Sequence, residues 1–175
     1  MSIRESGDFE WERLYRAHWQ SVLSVALLAA GGRQHEAWDG VQHAFIQAWR
    51  RLTSPNGPAV ADWPAWLRKV AVRQVVRDRQ RASHLEPLSD VEPVLDTPSM
   101  DMQVSLKEEY RSTLEVVARM PMRRRQALAL HLIAGYSVAE TASIMGVKEA
   151  TVRSLVRQAR EAFPERKTNG GKDHG

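Results

Sequence analysis

The sequence predicts an all-α protein with two small helical domains, a flexible acidic linker between them and a helix-turn-helix in the C-terminal domain. Apolar residues recur at three- and four-residue spacing over most of the chain, which is the period of an α-helix with one buried face. Residues 82–105 contain prolines and acidic residues but no lysine or arginine, and they interrupt that period. Towards the C-terminus, a glycine separates two short amphipathic segments, and the second segment is basic on one side.

Composition limits the classes of function. The chain has 175 residues, of which 43% are hydrophobic, enough for two small cores. It has no cysteine, which excludes disulfides and thiolate metal sites and fits a reducing cytoplasm. There is no run of about 18 apolar residues, and the charged N-terminus has no apolar signal-peptide segment. We therefore expect a cytoplasmic protein with no membrane insertion and no cofactor.

The first domain, residues 8–81, is predicted to contain three helices. The first covers 8–30 and the second covers 34–52. Asp62 is placed to cap the third, which follows a turn-rich loop. Gly40 lies inside the second helix, where glycine costs about 1 kcal/mol relative to alanine, and the sequence offers no reason for it. The apolar stripe of the second helix consists of Ala37, Val41, Ala44, Phe45, Ala48, Trp49 and Leu52.

The third helix has a strongly basic side. A basic helix face with aromatic rings at one end suits a nucleic-acid backbone with stacked bases. The alternative is a solvated basic face above tryptophans that belong to the core, and for Trp63 and Trp66 the core interpretation is favoured. The basic residues of this helix are Arg68, Lys69, Arg73, Arg77, Arg79 and Arg81.

The second domain, residues 106–163, follows the linker and precedes a polar tail over 164–175. Helices are predicted over 106–118 and 122–134. Positive charge at the start of the second of these opposes the helix macrodipole, a placement that makes sense if the side chains meet an anion such as phosphate. The cations at that position are Arg123, Arg124 and Arg125.

Residues 137–160 predict a helix-turn-helix. Ser137 and Glu140 have the spacing of a capping box at the start of its first helix. Gly146 stands where that helix should end, since glycine accepts a left-handed conformation. The second helix is apolar on one side and basic on the other, the plan in which a second helix enters the DNA major groove. The alternative is an amphipathic helical hairpin with a solvated basic face.

Three motifs together resemble one family. They are EAWDGVQHAFIQAWRRL over 36–52, WPAWLRKVA over 63–71, and RMPMRRRQALALHLIAGYSVAETASIMGVKEATVRSLVRQAR over 119–160. Over residues 8–163 the chain resembles an extracytoplasmic-function (ECF) sigma factor of the sigma-70 family, the short type with only regions two and four. Residues 8–81 would then be region two, and residues 106–163 would be region four.

The resemblance implies a transcription-initiation subunit and not an enzyme. Its partners would be core RNA polymerase, through the β′ clamp and the β flap, promoter DNA, and an anti-sigma factor. Region two would bind the minus-ten element and region four the minus-thirty-five element, with phosphate contacts positioning the protein and a few side chains specifying sequence.

The resemblance also implies three sets of site residues. Core polymerase would contact Asp39, Gln42, His43, Gln47 and Arg50. In region two, DNA would contact Asn56, Trp63, Arg68, Lys69, Arg73, Arg77 and Arg81. In region four, DNA would contact Arg123, Arg124, Arg125, Lys148, Glu149, Thr151, Arg153, Ser154 and Arg157.

Two other interpretations stay open at this point. One is a helix-turn-helix repressor or activator whose N-terminal half is a sensing or dimerisation domain. The other is a metal site, because His35, Asp39 and His43 share a helical face in a sequence close to HExxH. The second histidine of that motif is absent, so the metal interpretation is the weaker one.

Overall fold

The computed structural model describes residues 3–54, 59–85 and 108–163, and in these ranges the chain is helical with no strand. The helices are α1 (Ile3–Ala30), α2 (Gln34–Leu52), α3 (Trp63–Leu85), α4 (Glu108–Ala118), α5 (Met122–Ala127), α6 (Val138–Met145) and α7 (Glu149–Glu161). A π-helical segment over Leu128–Ile133 continues α5 without a break. The all-α prediction with a C-terminal helix-turn-helix is confirmed.

The N-terminal half is a bundle of α1, α2 and α3, each packed against the other two. Leu27, Val41 and Leu67 meet at its centre and are almost fully buried. The α3 N-terminus is capped as predicted, because Asp62 Oδ1 accepts a hydrogen bond of 2.9 Å from the Ala65 backbone N–H.

Gly40 of α2 lies directly against α3. A Cβ atom added there would stand 2.6 Å from Val75 Cγ2 and 2.9 Å from the Ala71 carbonyl oxygen. The glycine is therefore required by the close approach of two helices, which offsets its cost inside α2. The amino-acid pattern of α2 alone does not contain this information.

An aromatic ladder joins α1 to α2 and uses three of the chain's six tryptophans. Trp11 stacks on Tyr15 with ring centroids 5.4 Å apart, and Trp19 stacks on Trp38 at 5.8 Å. Trp11 Nε1 donates a 2.9 Å hydrogen bond to the Phe45 carbonyl oxygen, so its polar edge is satisfied inside the packing.

The C-terminal half is built from α4, α5 with its π-helical extension, α6 and α7. Val117, Leu130 and Val152 form its buried centre. The helix predicted over 122–134 changes to π-helical geometry at Leu128, and Ala134 N–H donates to the Ala129 carbonyl oxygen at 2.9 Å. The change adds a residue to the turn, a deviation that apolar spacing does not reveal.

Several boundaries differ from the predictions. Helix α1 begins at Ile3 and not at Asp8. Helix α3 runs to Leu85, so residues 82–85, which were predicted to belong to the linker, are helical; the first helix breaker in that stretch is Pro87. The predicted linker beyond 85, the first residues of the helix predicted over 106–118, and the tail over 164–175 lie outside the described residues.

The two halves are in contact. Helix α1 packs against α4, α5 and the π-helical segment, and α3 packs against the π-helical segment. The buried apolar residues of both halves form one continuous core. Helix α1 is thus shared, with one side turned to α2 and α3 and its C-terminal part turned to the second half.

Candidate nucleic-acid interface

The helix-turn-helix is specified by the predicted local contacts. The Glu140 backbone N–H donates to Ser137 Oγ at 3.1 Å, and the Ser137 backbone N–H donates to Glu140 Oε2 at 2.8 Å, which completes the capping box. Gly146 ends α6 in the left-handed region at φ 65° and ψ 37°. The hydrogen bonds from Ser137 hold the pKa of the Glu140 carboxyl below its ordinary value.

Helix α7 buries one side and presents the other. Val152, Val156 and Ala159 are buried against the rest of the C-terminal half. The opposite side carries the predicted contact residues, of which Ser154 is half-buried and the others, Lys148, Glu149, Thr151, Arg153 and Arg157, are exposed. The sequence therefore predicted the outer face of this helix correctly.

The arginines of the outer face are paired along α7 itself. Arg153 Nη2 lies 2.7 Å from Glu149 Oε2, and Arg157 Nη1 lies 2.9 Å from Glu161 Oε1. Exposed i,i+4 ion pairs contribute little stability, so these guanidinium groups can exchange a carboxylate for a phosphate or a base edge at small cost.

The three arginines at the start of α5 separate into three environments. Arg123 is exposed. Arg124 is half-buried, and its Nη2 donates to Gln158 Oε1 of α7 at 3.0 Å. Arg125 is 4% exposed and its Nη1 donates to the Ala118 carbonyl oxygen at 3.2 Å.

The prediction that Arg125 contacts DNA is wrong for this conformation, because its side chain is enclosed by protein. It lies on the side of α5 that continues into the buried residues Leu128 and Ala129, three and four positions later. Helical spacing from those residues could have placed Arg125 inward.

The basic side of α3 is only partly free. Arg73, Arg77 and Arg81 are exposed, and their four-residue spacing places them in one row. Arg68 and Lys69 are half-buried. Of the remaining cations predicted on this side, Arg79 turns inward and its Nη1 lies 3.1 Å from Glu36 Oε1 of α2.

Trp63 and Trp66 belong to the packing, as the core interpretation expected. Both are partly buried against the hydrophobic core, with ring centroids 5.5 Å apart in an edge-to-face arrangement. The Arg51 guanidinium lies 5.0 Å from the Trp66 ring centroid. Asn56, the predicted base contact, lies outside the described residues.

A second exposed surface runs along α2. Asp39, Gln42 and Arg50 are exposed, whereas His43 and Gln47 are half-buried. Ile46 and Trp49 lie on the same surface, 49% and 43% exposed. Trp49 Nε1 donates to Asp8 Oδ1 at 2.8 Å and borders an open apolar groove between α1 and α2.

The prediction that Trp49 belongs to the buried stripe of α2 is wrong, because its side chain is exposed. The sequence-based predictions did not include Ile46 as an exposed apolar residue. Trp49 follows Phe45 at helical spacing, but it stands near the end of α2 beside the open groove, and its side chain is 43% exposed although it contacts Asp8 of α1. Ile46 lies outside the apolar stripe, so helical spacing predicts that its side chain is exposed. An apolar residue at an exposed position indicates an interaction surface, and this signal could have identified Ile46 from the sequence.

The metal interpretation rests on a surface pair. His35 Nδ1 lies 3.2 Å from Asp39 Oδ2, and both side chains are largely exposed. In the described parts of the chain, no group of three or more His, Cys, Asp or Glu residues is arranged to hold a metal ion. Nor does any described helix combine the length and apolarity needed to cross a bilayer.

A basic outer helix mounted on a capped helix-turn-helix, together with an arginine row on a separate bundle, defines a helical DNA-binding protein. Residues 110–163 match the family described as Sigma-70, region 4. The fold is also similar to RpoE of Bartonella quintana, solved in complex with the anti-sigma factor NepR, with a TM-score of 0.50 and 21% identity over 89% of this chain and 93% of that chain.

Curated relatives extend the match to both halves. The ECF RNA polymerase sigma factor SigM of Mycobacterium tuberculosis is 30% identical over 164 residues, 91% of this chain and 79% of that protein. The ECF RNA polymerase sigma-E factor of Escherichia coli is 32% identical over 136 residues, 71% of this chain and 70% of that protein.

A probable RNA polymerase sigma factor of Xanthomonas campestris, RfaY, is 33% identical over 81% of this chain, which spans 36% of that longer protein. This chain belongs to the ECF sigma factors of the sigma-70 family. That membership favours the sigma-factor interpretation over the helix-turn-helix repressor.

Proposed function

We propose that this chain binds core RNA polymerase and directs it to a specific set of promoters, which it helps to melt. The observation that carries the proposal is the helix-turn-helix. Its second helix presents Arg153 and Arg157 to solvent, Lys148 just before that helix is also exposed, and the preceding turn is fixed by a capping box and a left-handed glycine. This arrangement suits insertion of α7 into the major groove of the minus-thirty-five element.

The exposed side chains on and beside α7 have two proposed roles, base contact and phosphate contact. Arg153 and Arg157 have the length and planar donors for bidentate contacts with guanine, and Thr151 can contact a base edge or a methyl group. Lys148 and the exposed Arg123 flank this face and suit phosphate contacts, which position the helix without reading sequence. Glu149 holds Arg153 ready in the free protein and can itself accept from cytosine.

Helix α3 serves the minus-ten region. The row of Arg73, Arg77 and Arg81 repeats about every 6 Å along the helix, so it can follow a phosphate backbone over several nucleotides. Arg68 and Lys69 extend that basic side towards the N-terminal end of α3. Trp63 is half-buried at that end, and Asn56, seven positions earlier in the sequence, is the proposed base contact.

The exposed surface of α2 docks on core polymerase. It combines charged and amide groups at Asp39, Gln42 and Arg50 with the exposed apolar side chains of Ile46 and Trp49. Exposed apolar side chains rimmed by polar groups are typical of protein interfaces. We therefore add Ile46 and Trp49 to the predicted polymerase-binding residues, with His43 and Gln47 at the half-buried edge.

Regulation and location follow from the same role. A sigma factor acts where RNA polymerase meets the chromosome, which places this chain in the cytoplasm. An anti-sigma factor is the expected regulatory partner, and a structural neighbour was solved with one bound.

The test is run-off transcription from a genomic promoter library with bacterial core polymerase and this chain as the sole sigma factor. We expect discrete transcripts that disappear in the double variant Asp39→Ala, Gln42→Ala, because the exposed polar surface of α2 would be lost. The control is Glu115→Ala, which removes an exposed carboxylate from α4, away from both interfaces. Absence of transcripts and of polymerase association, with tight sequence-specific DNA binding by the chain alone, would instead establish a repressor.

A further inference from the structure

A chain of three polar side chains joins the start of α5 to the outer face of α7. Arg124 Nη2 donates to Gln158 Oε1 at 3.0 Å, and Gln158 Nε2 donates to Ser154 Oγ at 3.2 Å. All three residues are half-buried, so they lie at the junction of the two helices and not in open solvent. We call Arg124, Gln158 and Ser154 the α5–α7 relay.

The guanidinium group sets the direction of both hydrogen bonds in the relay. An arginine side chain has donors and no acceptor, so the atom of Gln158 that faces Arg124 must be the amide oxygen. The amide nitrogen is then turned to Ser154, whose Oγ accepts. A glutamine beside a serine alone can take either orientation, because a hydroxyl group both donates and accepts. The charge-assisted bond from Arg124 removes that freedom.

The direction of the bond from Gln158 determines what Ser154 offers to DNA. An unconstrained serine hydroxyl can serve either a donor or an acceptor on a base edge. The hydroxyl proton of Ser154 cannot point at the amide that donates to its oxygen, so it is directed elsewhere. An oxygen that already accepts is also a stronger donor and a weaker second acceptor, since hydrogen bonds in a chain polarise one another. The relay therefore favours Ser154 as a donor.

Ser154 stands at the edge of the side of α7 that would enter the major groove. It lies three positions from Thr151 and three from Arg157, which places all three residues on adjacent turns of one side of the helix. Both of those neighbours are exposed. A donor held at this edge is therefore within the row of side chains that can meet base edges.

Arg124 was predicted to contact DNA directly, and its environment favours an indirect role. Its Nε is buried and its Nη2 is engaged by Gln158, so much of the guanidinium group is turned to protein. The neighbouring Arg123 is exposed and is the residue of this pair that is free to meet a phosphate. Arg124 can act on the DNA-facing side of α7 through Gln158.

We propose that Arg124 is a positioning residue for promoter recognition, and that it acts through Gln158 to fix Ser154 as a hydrogen-bond donor to one base of the minus-thirty-five element. Guanine, adenine and thymine each have an acceptor on the major-groove edge, whereas cytosine has only its amino donor. The relay therefore excludes cytosine at the base that Ser154 faces. This inference rests on the proposed function, because it takes α7 as the helix that enters the major groove.

The relay is tested first in the free chain, without DNA or polymerase. Heteronuclear NMR spectra of the isotope-labelled chain report the side-chain amide of Gln158, which Gln158→Met assigns by its disappearance. Arg124→Met and Ser154→Ala should each shift these amide resonances, because each variant removes one of the two bonds of the amide. Arg123→Met, which removes the neighbouring exposed guanidinium, should leave them in place. Unchanged Gln158 resonances in both relay variants would overturn the proposal.

Base preference is then measured with holoenzyme and a promoter library in which every position of the minus-thirty-five element is varied. Ser154→Ala should identify the base that Ser154 faces, as the position where cytosine is no longer disfavoured. Arg124→Met should raise relative binding of cytosine at that same position about fivefold, the net worth of one hydrogen bond. Arg124→Lys, which still donates and cannot accept, should restore the exclusion of cytosine.

The matched control separates positioning from charge. Arg123→Met should weaken binding to all sequences alike and reduce the slope of log affinity against log salt by about 1, as expected for a phosphate contact. If Arg124→Met does the same without changing base preference, Arg124 is a phosphate contact and the proposal is wrong. A uniform effect of Ser154→Ala would also overturn it, because Ser154 would then read no base.

Failure of the proposed function gives a different result. Wild-type holoenzyme that selects no sequence from the library would contradict promoter recognition, and the base preference of Ser154 would be overturned with it. The Gln158 resonances of the free chain would still decide whether Arg124 positions Ser154.

Discussion

The helix-turn-helix and the α2–α3 pair present basic or polar surfaces to solvent, but they are specified in different ways. In the helix-turn-helix, a capping box and a left-handed glycine fix the turn through contacts within ten residues of sequence. In the α2–α3 pair, the geometry depends on Gly40 beside Ala71 and on Arg79 beside Glu36, contacts between residues more than thirty positions apart. The first region is defined locally and the second by tertiary packing.

This difference extends to function. Arg153 and Arg157 on the outer face of α7 form their ion pairs with carboxylates of the same helix, so they are available in the free protein. The cations of α3 are divided among solvent, the α2 carboxylate and the second half of the chain. The proposed recognition surface on α7 therefore depends little on the rest of the fold, whereas the proposed phosphate-binding side of α3 depends on its neighbours.

The largest expected effect is on DNA affinity, and it distinguishes base contacts by α7 from phosphate contacts by α3. In holoenzyme, Arg153→Ala with Arg157→Ala should weaken binding to the cognate promoter by about 100-fold, since a base contact contributes about 1 to 3 kcal/mol. Arg73→Ala with Arg77→Ala should weaken binding to cognate and scrambled promoters alike, and should reduce the slope of log affinity against log salt by about 2.

The measurement is a fluorescence-anisotropy titration of both promoters at four salt concentrations. A change in salt slope without loss of discrimination in the α7 variant would place sequence recognition elsewhere. Loss of discrimination in the α3 variant would mean that the two surfaces do not differ as described.

The next largest effect is on stability, and it compares Gly40 in the α2–α3 pair with Gly146 in the helix-turn-helix. Gly40→Ala should lower the free energy of unfolding by about 1 to 2 kcal/mol, because overpacking against α3 exceeds the helix propensity gained. Gly146→Ala should cost about 1 kcal/mol for a different reason, since its added Cβ meets no atom within 4 Å but its φ is positive.

Asparagine distinguishes the two causes, because it accepts the left-handed conformation but is larger than alanine. In urea denaturation, Gly146→Asn should restore most of the stability lost in Gly146→Ala, whereas Gly40→Asn should be less stable than Gly40→Ala. Equal costs for asparagine at both positions would contradict a steric requirement at Gly40.

The same contrast explains how far the sequence alone could be read. The caps at Ser137 and Asp62, the glycine turn at Gly146 and the outer face of α7 follow from spacing and residue type, and these predictions were confirmed. They depend on hydrogen bonds and conformational preferences within a few residues, which the sequence contains directly.

The errors lie where distant segments meet. Arg125 and Arg79 were placed on exposed surfaces because charge usually indicates exposure, yet both are held by residues of another helix. Trp49 was placed in the core because it continues an apolar stripe, but α1 and α2 leave an open groove beside it. Periodicity identifies the inward side of a helix but does not tell how closely the neighbouring helix approaches or which charge that helix brings.

The smallest effect tests the charge in the local cap. Hydrogen bonds from Ser137 lower the pKa of Glu140 in the folded protein below the ordinary value of 4.5. The ionised carboxylate therefore stabilises the fold above that pH, and this contribution falls as the pH drops through the lowered pKa.

Glu140→Gln keeps a capping-box acceptor that does not titrate. The difference in thermal midpoint between wild type and Glu140→Gln should therefore be largest near neutral pH and should shrink towards pH 3. Glu115→Gln, which changes an exposed carboxylate of α4, is measured alongside as the matched control. A wild-type advantage that stays constant from pH 7 to pH 3 would mean that the cap depends on the shape of the side chain and not on its charge, and the helix-turn-helix would then owe its stability to packing, as the α2–α3 pair does.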